Sequence, residues 1–212
     1  MYNKFELHDY AHLRQYKIKN MFKDREELQR LDEEHLLWLE NNKAAPARDF
    51  TVGNGIQVHK PPVLKQLAHN LYEQMKAYIH PDLILTYWFS TVYGAEDFLQ
   101  PHSDRPCCSI SLSFNVGQVG PDWPIYVWDW NEKSFLEFNT DPGDGVIYSG
   151  FNNHHRNVYK GLHYHQLFVH TVLPNTPEAT DPDTISTIQA PTSFELEDRT
   201  IVRVDTNTGE RL

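Results

Sequence analysis

The stretch QPHSDRPCCSISLSFNVG, residues 100–117, decides how the rest of the chain is read. Its second half alternates strictly. Ile110, Leu112, Phe114 and Val116 fall on one face, and Ser109, Ser111, Ser113 and Asn115 on the other. That period of two belongs to a β-strand with one apolar side. Its first half holds His102 and Asp104, two residues apart, so in an extended segment both side chains leave the same face. An imidazole beside a carboxylate makes two corners of a metal site. His-x-Asp alone decides little, because a chain of 212 residues with 12 His and 15 Asp contains about one such pair by chance.

Outward from this stretch the middle of the chain reads as strands. LILTYWFSTVYG (83–94) is rich in β-branched and aromatic residues, and WPIYVWDW (123–130), GVIYSG (145–150) and HYHQLFVHTVL (163–173) follow. VGPDWP and DPGDG mark turns between them. Short strands at this spacing predict a mainly β (α+β) fold with a double-stranded β-helix, or cupin-like jelly roll, at its centre. Two amphipathic helices precede it. KDREELQRLDEEHLLWLENN (23–42) repeats leucine near helical spacing, and PPVLKQLAHNLYEQMKAYIHP (61–81) begins on prolines and carries Leu64, Leu67, Leu71, Met75 and Ile79 on one face. His35, His69 and His80 on these helices read as ordinary surface or boundary histidines.

Composition excludes several classes. The net charge is −10 and no basic stripe stands out, so a nucleic-acid groove is not expected. No apolar run is long enough to span a membrane, and the polar start MYNKFELHDYAHLRQYKIK lacks a signal-peptide core. The only cysteines, Cys107 and Cys108, are adjacent, which disfavours a disulfide. A reduced, cytoplasmic protein is the expectation. Residues 1–175 form a single catalytic jelly-roll domain in this reading. Residues 176–212 form a polar tail with a possible β-hairpin in FELEDRTIVRVDTNTGERL.

A run from His154 to His170, HHRNVYKGLHYHQLFVH, holds five of the 12 histidines. His154 follows GDGVIYSGFNN, an apolar strand and a bend, and a ligand there would face the His-x-Asp pair across a jelly roll. Two histidines and one carboxylate would form a facial triad with open positions, which suits non-haem Fe(II) oxygenases. If the strand is continuous, His155 faces away. His165 and His170 read as strand packing. Cys107 and Cys108 read as small filling residues of a strand. The serine face either meets water or lines the cleft.

With these motifs in place, the segment from PHSDRP to FVHTV, about residues 84–172, resembles the Fe(II)/2-oxoglutarate-dependent dioxygenases, in particular the small prolyl-hydroxylase-like members of bacteria and viruses. HSD, SLSFNVG, WPI, GDGVIYSG, HHR and the later QLFVH carry the likeness. The resemblance implies Fe(II) held by His102, Asp104 and His154. It implies 2-oxoglutarate as cosubstrate and O2 as oxidant, giving succinate and CO2 as a substrate C–H bond is hydroxylated. The presence of Asp104 argues against the related halogenases, in which a small residue leaves room for chloride. In the prolyl-hydroxylase branch a Lys or Arg nine or ten residues past the second histidine grips the far carboxylate of 2-oxoglutarate; here His163 stands at that place. Arg156 is the rival anchor, two residues from His154, and Tyr93 is a possible hydroxyl donor to the same group. Arg105 and Trp123 are placed near the mouth as candidate substrate contacts.

The expected partner is a small-molecule or peptidyl substrate, with the chain a monomer or homodimer. Two other readings stay open: a cupin-like jelly roll that binds a metal or ligand without turnover, and an iron enzyme that needs no 2-oxoglutarate.

Overall fold

The computed structural model describes residues 13–42, 44, 52–189, 192–195 and 201–204. The expected helices are α1 (Arg25–Asn41) and α2 (Lys65–Tyr78), the second led in by a 3-10 turn at Pro62–Leu64. Asp24 caps α1 by accepting the Glu27 N–H at 3.0 Å, which satisfies a first-turn donor with no partner inside the helix.

Ten strands build the body. They are β1 (Tyr16–Ile18), β2 (Ile56–His59), β3 (Ile84–Tyr93), β4 (Leu99–His102), β5 (Ile110–Val119), β6 (Ile125–Asp129), β7 (Ser134–Phe138), β8 (Gly145–Ser149), β9 (His154–Arg156) and β10 (His163–Val172). All pair antiparallel. One sheet runs β1-β8-β5-β10-β3-β2 and the other β4-β9-β6-β7. Ile125 and Val127 of the smaller sheet meet Val146 and Tyr148 of the larger across the interior. The architecture is the double-stranded β-helix expected from the sequence.

The two faces of β5 explain how the layers separate. Ile110, Leu112, Phe114 and Val116 join Leu64, Leu67, Leu71, Met75, Leu167 and Val169 in the largest apolar core, beneath the helices. The serine face turns inward between the sheets, and Ser111, Ser113 and Asn115 are all buried. Of the two options left open for that face, it lines the interior rather than meeting bulk water. Leu71 has no exposed surface at the centre of the helix–sheet core. Leu71→Ala is expected to cost about 2–5 kcal/mol, read as a lower urea midpoint at unchanged slope.

Two expectations are corrected. His35 is not a surface histidine. It has 0% exposure, its Nε2 lies 2.8 Å from Ser90 Oγ, and its ring stacks on His165 at 4.7 Å. Cys107 and Cys108 sit in a 3-10 turn (Pro106–Cys108), not in a strand, because Pro106 opens a tight turn before β5 begins. The polar tail begins with helices, α3 (Pro177–Thr180) and α4 (Pro182–Gln189). The signal was present in TPEA and DPDT, where a capping residue precedes a proline at the first helical position. Thr176 accepts the Ala179 N–H at 3.3 Å. Beyond them β11 (Thr192–Glu195) pairs antiparallel with β12 (Ile201–Val204). Among the described residues no helix is long and apolar enough to cross a membrane.

Candidate metal centre

β4 and β9 are short, and their pairing assembles the site. The register sets His102 opposite His154 and Leu99 opposite Arg156. Asp104 lies just past β4 in a loop pinned to the β8–β9 turn: its backbone N–H donates to Gly150 O at 2.6 Å, and the Gly150 N–H donates to Ser109 O at 3.1 Å. His102 Nε2 and His154 Nε2 each lie 3.6 Å from Asp104 Oδ1. The ligand-capable atoms of the three residues all fall within 4.8 Å of one another.

The remaining ring nitrogens set the donor roles. His102 Nδ1 lies 2.7 Å from Gln100 O, and His154 Nδ1 lies 2.9 Å from Asn152 O. A carbonyl only accepts, so each Nδ1 carries the proton and each Nε2 presents a lone pair to the shared point. Burial pulls His154 below the usual histidine range and keeps it neutral. Burial alone would push the Asp104 carboxyl up, but the adjacent His154 and His102 rings, cationic at the low pH where Asp104 takes up its proton, outweigh it and hold Asp104 at about 2. Two neutral imidazoles and one carboxylate are the protonation states a cation requires.

Around this point the serine face supplies a second layer. Ser111 Oγ lies 3.0 Å from Asp104 Oδ2 and 2.8 Å from His170 Nδ1. One hydroxyl proton given to the carboxylate lets Ser111 accept from His170 Nδ1–H, so His170 Nε2 is left without a partner. Burial holds His170 neutral, at about 4. A cleft of about 290 Å³ opens over the three residues. Its walls include the aromatic series His59, Tyr87, Phe89, Phe168 and His170, in which Phe89 stacks on Phe168 at 4.6 Å. Arg105 stands at the rim, its Nη2 donating to Tyr87 Oη at 3.1 Å. The sequence singled out neither Ser111 nor His170 as part of a site. They reach it only through the inward face of β5 and β10.

Gly150 is the tightest backbone element of the site. A Cβ there would collide with the Cys108 carbonyl and lie 2.9 Å from Asp104 Cβ. Gly150→Ala is expected to displace the Asp104 loop, at a cost of about 1–3 kcal/mol in unfolding free energy. Divalent-metal affinity should fall with it, both read by thermal unfolding with and without added metal.

Arg156 shares the inward face of β9 with His154, and its exposure is 2%. Its guanidinium lies 4.9 Å from the ring centres of both Trp123 and Tyr164. Nη1 donates to Trp123 O, and Nη2 donates to Ser113 Oγ at 3.3 Å. Among the described residues it forms no ion pair with a carboxylate, and its Nε, the Tyr93 hydroxyl and Gln166 Oε1 have no hydrogen-bond partner. Burial pushes the Tyr93 hydroxyl above its usual range, so it stays a neutral donor. Tyr93 lines the cleft, and Arg156 sits behind it in the same aromatic cluster.

Two sequence expectations fail on position. His163 does not face the cleft. It lies on the opposite face of β10 from Tyr164, with Nε2 3.0 Å from Asp32 Oδ2 of α1, because neighbouring residues of a strand point to opposite sides. Trp123 is not at the mouth. Its exposure is 4% and its Nε1 donates to Asn157 O at 2.6 Å, which makes it a wall of the Arg156 enclosure. His155 also leaves the site, stacking outward on Tyr126 at 5.0 Å.

No protein-family model and no curated protein matches the sequence. Solved structures match at the level of fold. The non-haem α-ketoglutarate-dependent epimerase SnoN from nogalamycin biosynthesis superposes with a TM-score of 0.64 at 11% identity, over 80% of this chain and 83% of that one. A Pseudomonas putida prolyl-4-hydroxylase gives 0.59 at 13% identity, over 76% and 93%. HygX from Streptomyces hygroscopicus, with nickel and 2-oxoglutarate bound, gives 0.60 at 11% identity, over 82% and 89%. The chain therefore has the double-stranded β-helix fold found in 2-oxoglutarate/Fe(II) oxygenases.

Proposed function

We propose that this protein is an Fe(II)- and 2-oxoglutarate-dependent oxygenase that hydroxylates a C–H bond of a small amino-acid-like or peptidyl substrate. The observation that carries the reading is the convergence of His102 Nε2, His154 Nε2 and the Asp104 carboxylate under an open cleft, with both Nδ1 protons tied to backbone carbonyls. Three protein ligands of this type leave positions free for a chelating acid and oxygen. Bound iron with 2-oxoglutarate and O2 would supply the oxidising chemistry, releasing succinate and CO2.

The chain's own residues would do the rest. His102, Asp104 and His154 would hold the metal, and Ser111 would keep the Asp104 carboxylate turned toward it. Among the described residues no carboxylate pairs with the buried Arg156, and a dicarboxylate brought near it would supply the missing charge. Residues two apart on a strand are separated by roughly 6.6 Å, comparable with the length of a five-carbon diacid. His154 would thus meet one end and Arg156, with the Tyr93 hydroxyl, the other. The aromatic walls would exclude water from the reacting face, and Arg105 would meet a polar or acidic group of the substrate. A second HygX structure holds hygromycin B together with nickel and 2-oxoglutarate, which supports a small-molecule substrate for this fold.

The test is spectroscopic. Fe(II) and 2-oxoglutarate are added to the purified protein without oxygen, and a visible metal-to-ligand charge-transfer band is expected. Oxygen should then discharge the band and yield succinate. Iron binding without any band on adding 2-oxoglutarate would sink the reading.

A further inference from the structure

On the far side of β10 from the cleft lies a second group of two histidines and one carboxylate. Asp32 of α1 is set between His163 and His165. Its Oδ1 is 2.7 Å from His165 Nδ1, and its Oδ2 is 3.0 Å from His163 Nε2. All three ligand-capable atoms fall within 4.8 Å of one another. The backbone makes room for this arrangement. His165 pairs with Gly117 of β5 next to an irregularity in the ladder, and a Cβ on Gly117 would overlap the Asp32 carboxylate. A residue that must lack a side chain for the carboxylate to seat marks a built position rather than a chance surface contact.

Among the described residues no Lys or Arg pairs with the Asp32 carboxylate. The Asp32 side chain is 14% exposed and that of His165 is 0% exposed. Arg25 lines the adjoining cavity but donates its Nη2 to Asn20 Oδ1 at 2.7 Å. Among the described residues only the two imidazoles bond the carboxylate, and His165 Nε2 is buried without a partner. The cavity beside them, about 580 Å³, is lined also by Gln29, Glu33 and Gln118, so ions and water have a path in. We propose that Asp32, His163 and His165 form a second divalent-cation site of the zinc class, which fastens α1 to β10 on the helix side of the larger sheet. Two imidazoles and a carboxylate are a donor set that suits Zn2+, and the cavity leaves its remaining position to water. The site is separate from the His102–Asp104–His154 cluster and does not depend on that cluster's function.

Zn2+ alone is the probe, titrated calorimetrically into the chelator-treated full chain and followed by thermal unfolding. The wild type is expected to bind two ions and Asp104→Ala one, with Zn2+ still raising the melting temperature of Asp104→Ala. Adding His163→Gln to Asp104→Ala should remove the remaining ion, with affinity falling more than about 100-fold, beyond what loss of an outer partner costs. The His163 side chain is 16% exposed, and this change leaves the apolar core untouched. Gly117→Ala should have the same effect by filling the carboxylate's seat, and circular dichroism would verify the fold of each variant. If Asp104→Ala binds no ion, or if the folded His163→Gln and Gly117→Ala variants bind as before, the second site is refuted. A wild type that binds one ion, lost with His163→Gln and kept with Asp104→Ala, would support this site while overturning the reading of the cleft.

Discussion

Asp104→Ala is expected to abolish both the charge-transfer band and cosubstrate-dependent succinate formation. The carboxylate is the only anionic member of the cluster and lies 3.6 Å from both imidazole Nε2 atoms. Its removal leaves two neutral donors for a dication. Even outer partners of a metal ligand are worth about 10–100-fold in affinity or activity, so loss of the ligand itself should exceed that range. His154→Ala should match it, since His154 is 1% exposed and its Nδ1 is already committed to Asn152 O. His155→Ala is the informative control. That ring stacks outward on Tyr126, so the band should survive. Equal loss in His155→Ala and His154→Ala, with both variants folded, would contradict the assignment.

The second large effect belongs to Arg156, where stability and function should move in different directions. A buried guanidinium without an ion-pair partner costs several kcal/mol of desolvation, and replacing a buried charge by an apolar side chain of similar volume is often neutral or stabilising. Arg156→Met is therefore expected to leave the cosubstrate-free protein no less stable than the wild type in urea. Truncating one member of a buried charge pair costs about 2–5 kcal/mol in binding, so the 2-oxoglutarate concentration for half-saturation should rise by about 30-fold or more. Arg156→Lys should recover part of the loss, because it restores the charge but not the planar fork. Both are read from titration of the anaerobic band. A variant that is strongly destabilised yet binds 2-oxoglutarate as the wild type does would make Arg156 a structural residue only.

The comparison of sequence with structure turns on what a local pattern can encode. Strict alternation in residues 109–117 determined a strand with an apolar face, and that face does meet the helices. Helical spacing determined α1 and α2. The His-x-Asp pair and a later histidine after an apolar strand were legible as ligand types at a spacing, and strand geometry separates His154 from His155. The short strands β4 and β9 were not legible. At four and three residues they carry too little pattern, and their existence depends on pairing with each other.

Tertiary structure alone decided the destination of each remaining group. Which face of β5 met solvent depended on the second sheet closing over it, so Ser111 and Ser113 became partners of Asp104 and Arg156. His163 stood at the right count for an anchor, but the phase of β10 turned it toward α1 and Asp32, 131 residues away in sequence. Burial of His35 and enclosure of Arg156 by Trp123 and Tyr164 likewise arise from segments that meet only after folding. The sequence by itself determined α1, α2 and the strands β3, β5, β6, β8 and β10, and pointed to the three converging residues, because backbone periodicity is local. Only the packed sheets decided what surrounds them, because burial and charge pairing depend on neighbours far away along the chain.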